Sequence, residues 1–112
     1  MEITRQEGND VVTLALAGRL DAFHAPELRE ALAAELDDAR TRLVVDLEDV
    51  SFVDSSGIAA LVRAMKAARQ KGGDVRLCGL QAPVRIIFEL TRLDKAFEIL
   101  PDAATAEASF DS

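Results

Sequence analysis

Asp54, Ser55 and Ser56, followed by Gly57, set one carboxylate and two hydroxyls in a row. The apolar run Leu43-Val44-Val45-Asp46-Leu47 precedes them, and Ile58, Leu61, Val62, Met65 and Ala68 follow at helical spacing. The four residues therefore lie where a buried strand leads into a helix N-terminus. Two chemistries fit that position. The first backbone N–H groups of a helix lack internal partners, and Ser and Asp oxygens accept from them. On this reading Ser55→Ala loses a cap oxygen, at a cost of about 0.5–2 kcal/mol. A helix start also suits a phosphate, so an exposed serine there can act as a phosphoacceptor. Phosphorylation adds roughly −1.5 to −2 charge, which the helix end tolerates and Asp54 opposes. A surface that a partner can cover then carries a charge that must be desolvated. That is a binding switch without catalysis in the chain itself.

Other chemistries fit less well. A Ser-His-Asp hydrolase needs a base within reach of the serine. The one histidine, His24, lies in the loop before the first long helix. Both loops follow a strand and precede a helix, so His24 could approach Ser55. The Gly-x-Ser-x-Gly elbow is absent, however, and His24 has a plain alternative as a loop or cap residue. No catalytic residue is expected. One Cys and one His do not make a zinc site. Asp46, Glu48, Asp49 and Asp54 lack calcium-loop spacing. Gly72-Gly73 closes a helix and does not open one around a phosphate. Neither metal nor cofactor is expected.

The elements that must position these residues follow from periodicity. Residues 2–7 and Val11–Ala17 flank the turn Gly8-Asn9-Asp10 and predict an antiparallel hairpin, with Val12, Leu14 and Leu16 on one face. Gly18 to His24 reads as a loop. Pro26 opens a helix whose inner face is Leu28, Ala31, Leu32, Glu35, Leu36 and Ala39, apolar apart from Glu35. Leu43–Leu47 is a central strand, with residues 48–53 as its end and loop. The helix from Ser55 stops at Gly72-Gly73. Val75–Cys78 is the next strand, Pro83 starts a third helix, residues 93–96 turn, Phe97–Leu100 is a last strand, and Asp102 caps a final helix to about Ser109. The alternation implies parallel strands with right-handed crossovers. Val12, Leu14, Leu16, Val44, Leu47, Ile58, Leu61, Val62, Met65, Leu77, Ile87 and Phe88 are expected in one core.

Composition sets the class. The chain has 112 residues, 49% hydrophobic, which suits one α/β domain over residues 1–112. Its net charge of −7 argues against nucleic acid and anionic membrane surfaces and permits a basic protein partner. No apolar run approaches a membrane span, and the first residues carry no signal-peptide pattern. The single cysteine, Cys78, lies in an apolar stretch and is expected buried and reduced, in a cytoplasmic setting.

The landmarks Gly18-Arg19-Leu20-Asp21, Leu43 to Leu47, Val50 to Ile58 around Asp54-Ser55-Ser56-Gly57, Gly72-Gly73, and Leu90 to Phe97 together resemble the STAS domain, most closely the bacterial anti-sigma factor antagonists. The resemblance implies a single-domain STAS-like fold, a mixed four- to five-stranded sheet packed with about four helices. It implies binding to an anti-sigma factor with serine kinase activity, which frees a sigma factor. Phosphorylation of Ser55 by that kinase ends the binding, and a metal-dependent serine phosphatase restores it. Asp21 lies beside the phosphorylated serine in the family. Phe23, His24, Asp54, Ser56, Gly57 and Ile58 complete the implied partner surface. The fold also serves in anion-transporter tails and stressosome proteins. The alternative is therefore a STAS accessory subunit of a lipid-transport ATPase or another STAS signalling scaffold. A lone domain without a transporter segment favours the antagonist.

Overall fold

Asn9 and Asp10 both adopt positive φ, 54° and 63°. Two such residues make the tight turn that matches the twist of a hairpin. In the computed structural model, which describes residues 1–111, β1 (Glu2–Gly8) accordingly folds back antiparallel on β2 (Val11–Leu20). The chain continues through α1 (Ala25–Asp37), β3 (Arg42–Val53), α2 (Ser55–Gln70), β4 (Asp74–Cys78), α3 (Ala82–Leu90), β5 (Ile99–Leu100) and α4 (Ala103–Ala108). The strands form one mixed sheet in the order β1-β2-β3-β4-β5, parallel from β2 onward. This is the expected α/β architecture of five strands and four helices.

Alternation along the strands sorts side chains to two faces. Val12, Leu14, Leu16, Leu43, Val45, Leu47, Val75 and Leu77 pack with Leu28 and Leu32 of α1, Leu61 and Met65 of α2, and Val84 and Phe88 of α3. Val11, Val44, Cys78 and Ala106 form a small cluster under α4 on the other side. Val44 is thus fully buried but does not join the main core. Ile58, Val62 and Ile87 are only half-buried, since they lie on the helix flanks and not on the faces turned to the sheet. Thr13, buried on the α4 side, donates from Oγ1 to Glu107 Oε1 at 2.8 Å and ties that helix to β2.

Two strands run longer than their periodicity suggests. β2 continues through Gly18, Arg19 and Leu20, and β3 continues to Val53. Their pairing slips twice: Ala15 faces Asp46 but Ala17 faces Asp49, and Gly18 faces Val50 but Arg19 faces Phe52. Each slip inserts an extra residue in β3, as in a bulge. The buried residues become Leu47, Val50 and Val53, spaced by three, and the two-residue alternation disappears. β5 is shorter than expected because the chain is still turning at Phe97, whose N–H donates to Leu93 O at 2.9 Å.

Glu35, the polar interruption on the inner face of α1, has its partner in β1. Arg5 Nε donates to Glu35 Oε2 at 2.7 Å and Nη2 to Oε1 at 3.0 Å. A bidentate fork satisfies both carboxylate oxygens of a nearly buried side chain. The same contact holds the edge strand to the helix layer.

Helices α1, α2 and α3 end alike. The N–H of Arg40 donates to Glu35 O, Gly73 to Ala68 O, and Leu93 to Phe88 O, with Ala39, Gly72 and Arg92 before them at φ of 60°, 84° and 60°. This left-handed cap favours glycine, and a side chain there costs about 1–2 kcal/mol. Ala39 is therefore past the end of α1 and not on its inner face. Ala39→Gly is expected to stabilise the fold by about 0.5–1 kcal/mol, the relief of strain exceeding the added freedom of the unfolded chain. Gly72→Ala should destabilise it by a similar amount or more, since nothing lies near its position but the backbone conformation opposes a side chain. Urea unfolding of both variants checks this, and opposite signs are the expected result.

Candidate functional site

β2 and β3 are parallel neighbours, with Leu20 opposite Val53. Both strands therefore release the chain at the same end of the sheet. The loop 21–24 enters α1 and Asp54 enters α2 side by side. The N–H of Asp54 donates to Leu20 O at 3.1 Å, so the pairing persists to the last residue before the helix.

The Asp54 carboxylate joins the two loops. Its Oδ1 accepts from the N–H groups of Ser56 at 2.9 Å and Gly57 at 3.2 Å, and its Oδ2 accepts from Ala22 N–H at 3.1 Å. Asp54 is the N-cap of α2, and Ser55 is the first helical residue. The cap is thus the aspartate and not the serine. Ser55 is exposed, and its hydroxyl makes no hydrogen bond among the described residues.

Asp21 organises the neighbouring loop in the same way. Its Oδ1 accepts from the N–H groups of Phe23 and His24, both at 3.1 Å, and lies 2.9 Å from His24 Nδ1. Its Oδ2 faces Arg19 Nε at 3.8 Å. Partial desolvation pushes the Asp21 carboxyl up, but the hydrogen bonds from His24 and Phe23 outweigh it and hold it below the usual carboxylate range. Its pKa is thus lower in the folded than in the unfolded chain. The stability that follows is present above the unfolded carboxylate pKa and is lost as pH falls through the folded one. His24 occupies the N-cap position of α1, and its ring hydrogen-bonds Asp21 and not Ser55 or Ser56. The Ser–base contact a hydrolase needs is not assembled among the described residues. Phe23, 85% exposed, stands edge-on to the His24 ring with centroids 5.0 Å apart.

Gly57 is buried against Leu20. A Cβ there would lie 2.6 Å from Leu20 Cγ and 2.8 Å from Leu20 O. Its part in any surface is therefore indirect: it lets α2 start against the end of β2. Ser56 and Ile58 are half-buried. Ser55 and Ile58 line one groove with Ala59, Val62, Arg63, Lys66 and Thr91, about 520 Å³ in volume. Ser56 lies on the other flank of α2, in a groove shared with Ala22, Ala25, Pro26 and Arg29 of the α1 side. Asp21, Phe23, His24, Asp54 and Ser55 are therefore gathered at one end of the sheet, and the two serines face different grooves. Arg63, Lys66 and Thr91 had no place in the sequence-based site. Arg63 and Lys66 stand 8 and 11 residues after Ser55, a helical spacing that places them along the same flank.

Among the described residues no cluster of His, Cys, Asp or Glu is arranged to hold a metal, and no helix is long and apolar enough to cross a membrane. Cys78 is buried. Desolvation, then the nearby Asp46 charge, pushes its thiol up to about 12, away from the reactive thiolate.

A STAS domain family model matches residues 2–106. The anti-sigma-B factor antagonist of Listeria monocytogenes is 34% identical over 95 residues, covering 85% of this chain and 83% of that one. The anti-sigma-B factor antagonist of Bacillus subtilis is 33% identical over 95 residues, covering 85% of each. Among solved structures, an anti-sigma factor antagonist from Mycobacterium paratuberculosis superimposes with a TM-score of 0.90 at 25% identity, over 99% of this chain and 94% of that one.

Asp54→Ala removes the cap and also leaves Ala22 N–H without its acceptor. It is expected to cost about 1–3 kcal/mol, at or above the upper end for a simple cap. Asp54→Asn keeps an acceptor for α2 and should cost less. Thermal unfolding, with amide hydrogen exchange at residues 22–24, reports both. Unchanged exchange in Asp54→Ala would show that the loops are held by something else.

Proposed function

This chain belongs to the STAS domain family, and from that membership we propose that it is an anti-sigma factor antagonist switched by phosphorylation of Ser55. It acts in the cytoplasm by binding an anti-sigma factor, so that a sigma factor is released. The anti-sigma factor is also a serine kinase, and ATP-dependent transfer to Ser55 ends the binding. A serine phosphatase reverses the modification. The partner surface comprises Asp21, Phe23, His24, Asp54, Ser56 and Ile58 around Ser55, with Gly57 setting the approach of α2. The names of the Listeria and Bacillus relatives support the antagonist role.

One observation carries the choice of Ser55. Its hydroxyl is exposed at the first residue of α2 and unbonded among the described residues, while the adjacent Asp54 carboxylate is already bonded to three backbone N–H groups. A phosphate can therefore be added without dismantling the cap. The half-buried Ser56 is a poorer acceptor. The fold survives modification while the surface gains negative charge, and that is what a reversible binding switch requires.

Incubation of the protein with ATP and a purified anti-sigma kinase of the histidine-kinase-like ATPase class should add one phosphoryl group by intact mass. Ser55→Ala should abolish the addition and Ser56→Ala should not. Because the Ser55 hydroxyl has no hydrogen bond among the described residues, Ser55→Ala should change stability by no more than about 0.5 kcal/mol and bind the partner without being released. Ser55→Asp should fold, since a negative side chain suits a helix start, yet bind more weakly because its charge must be desolvated. Equal calorimetric affinities for wild type, Ser55→Ala and Ser55→Asp would defeat the switch. Co-purification with transporter subunits alone would favour the accessory-subunit role.

A further inference from the structure

We propose that the groove along α2 from Ser55 to Lys66 docks an acidic amphipathic helix of the anti-sigma factor, with Arg63 and Lys66 as its charged anchors. The partner's identity rests on the antagonist reading above; the chemistry of the groove does not.

The groove has an apolar floor of Ile58, Ala59 and Val62 and a rim of Arg63, Lys66 and Thr91. Ile58 and Val62 are two of the expected core residues that remain half-exposed. The chain carries −7 overall, yet α2 contains no Asp or Glu. Arg5, Arg40, Arg69, Arg76 and Lys71 are engaged with Glu35, Glu7, Asp74 and Ala96 O, Asp74, and Leu36 O respectively, so they are not free to meet a partner. Arg63 and Lys66 have no ion pair or side-chain hydrogen bond among the described residues. A positive rim over an apolar floor, with no acid lining it, calls for an occupant that is apolar on one face and negative on the other.

The shape favours a helix. From Ser55 to Lys66 the flank extends about 16 Å, roughly three turns. The small Ala59, exposed near its middle, lets a second helix approach closely, as when ridges pack into grooves. No strand edge lines the groove, so an extended segment would find no backbone partners there.

The position of Ser55 links this groove to the switch. Ser55 lines its first end. A phosphoryl group on Ser55 brings about −1.5 to −2 charge into the groove that the partner's acids occupy. It repels those acids and offsets the two cations that attract them. A switch of this kind weakens with salt, unlike a purely steric one.

The test uses two synthetic helical peptides with the same leucine pattern, one with glutamates and one with lysines on the polar face. In amide NMR titrations the acidic peptide should shift Ile58, Ala59, Val62, Lys66 and Thr91 and bind about tenfold or more tightly than the basic one. Arg63→Glu/Lys66→Glu should lose that preference, and Arg85→Glu on α3 should keep it. If the double reversal does not fold by circular dichroism, Arg63→Gln/Lys66→Gln serves instead. Equal binding of both peptides, no binding, or binding indifferent to the double variant overturns the proposal. A second arm uses the purified anti-sigma kinase. The double variant should bind it about tenfold more weakly, and the gap between wild type and Ser55→Asp should narrow from about 50 mM to about 500 mM salt. If wild type and the double variant bind the kinase equally, the groove assignment falls and the antagonist function stands. If the acidic peptide binds as expected and no anti-sigma kinase binds wild type, the antagonist function falls and the groove's chemistry stands.

Discussion

One carboxylate holds the functional end of this molecule together. Asp54 caps α2 through Ser56 and Gly57 and reaches across to the N–H of Ala22 in the preceding loop. Each N–H would otherwise be an unpaired donor at the end of an element. Satisfying them with one ionised side chain fixes where α2 begins and where the loop 21–24 lies. Charge-assisted bonds of this kind are stronger than neutral ones. The relative position of Asp21, His24 and Ser55 depends on it.

That arrangement separates structure from surface chemistry within four residues. Asp54 faces inward to backbone donors, Gly57 is pressed against Leu20, and Ser55 alone among them is left exposed with an unused hydroxyl. A residue that held the cap could not also be modified freely, because the modification would compete with the fold. The serine's side chain is free because the aspartate has taken the capping role. The same economy operates in the next loop, where Asp21 accepts from Phe23 and His24 and orients an exposed aromatic ring.

The sheet supplies the geometry that makes this possible. Parallel pairing of β2 and β3 brings two loops 30 residues apart in sequence to one edge. The two slips in that pairing lengthen β3 relative to β2, and Leu20 and Val53 still end opposite one another. On the far side, α4 closes the sheet over Val11, Val44 and Cys78, leaving the helix α2 and its grooves to face outward. The basic flank of α2 stands out in an acidic chain because the helix carries no Asp or Glu and, among the described residues, no acid lines the groove beside Arg63 and Lys66.

The sequence by itself determined the elements whose physics is local. Two-residue alternation marked Val12, Leu14 and Leu16, helical spacing marked Leu28, Leu32 and Leu36 in α1 and Leu61, Met65 and Ala68 in α2, and Asp54-Ser55-Ser56-Gly57 marked a helix start. The order of strands and helices then constrained the parallel sheet, and with the motifs it carried the family resemblance. Only the tertiary structure decided what depends on contacts between distant segments. The bulges hid the end of β3, because buried residues spaced by three break the two-residue alternation that marks a strand. Glu35 looked misplaced until Arg5, 30 residues earlier, supplied its partner. Val44 proved to lie on the opposite face because the sheet is covered on both sides. Asp54, Ser55 and Ser56 are all plausible caps by residue type. The choice fell to Asp54, the one whose backbone and carboxylate could meet both the helix and the neighbouring loop. Residue type states what a side chain can bond, and the fold decides which donors come within reach.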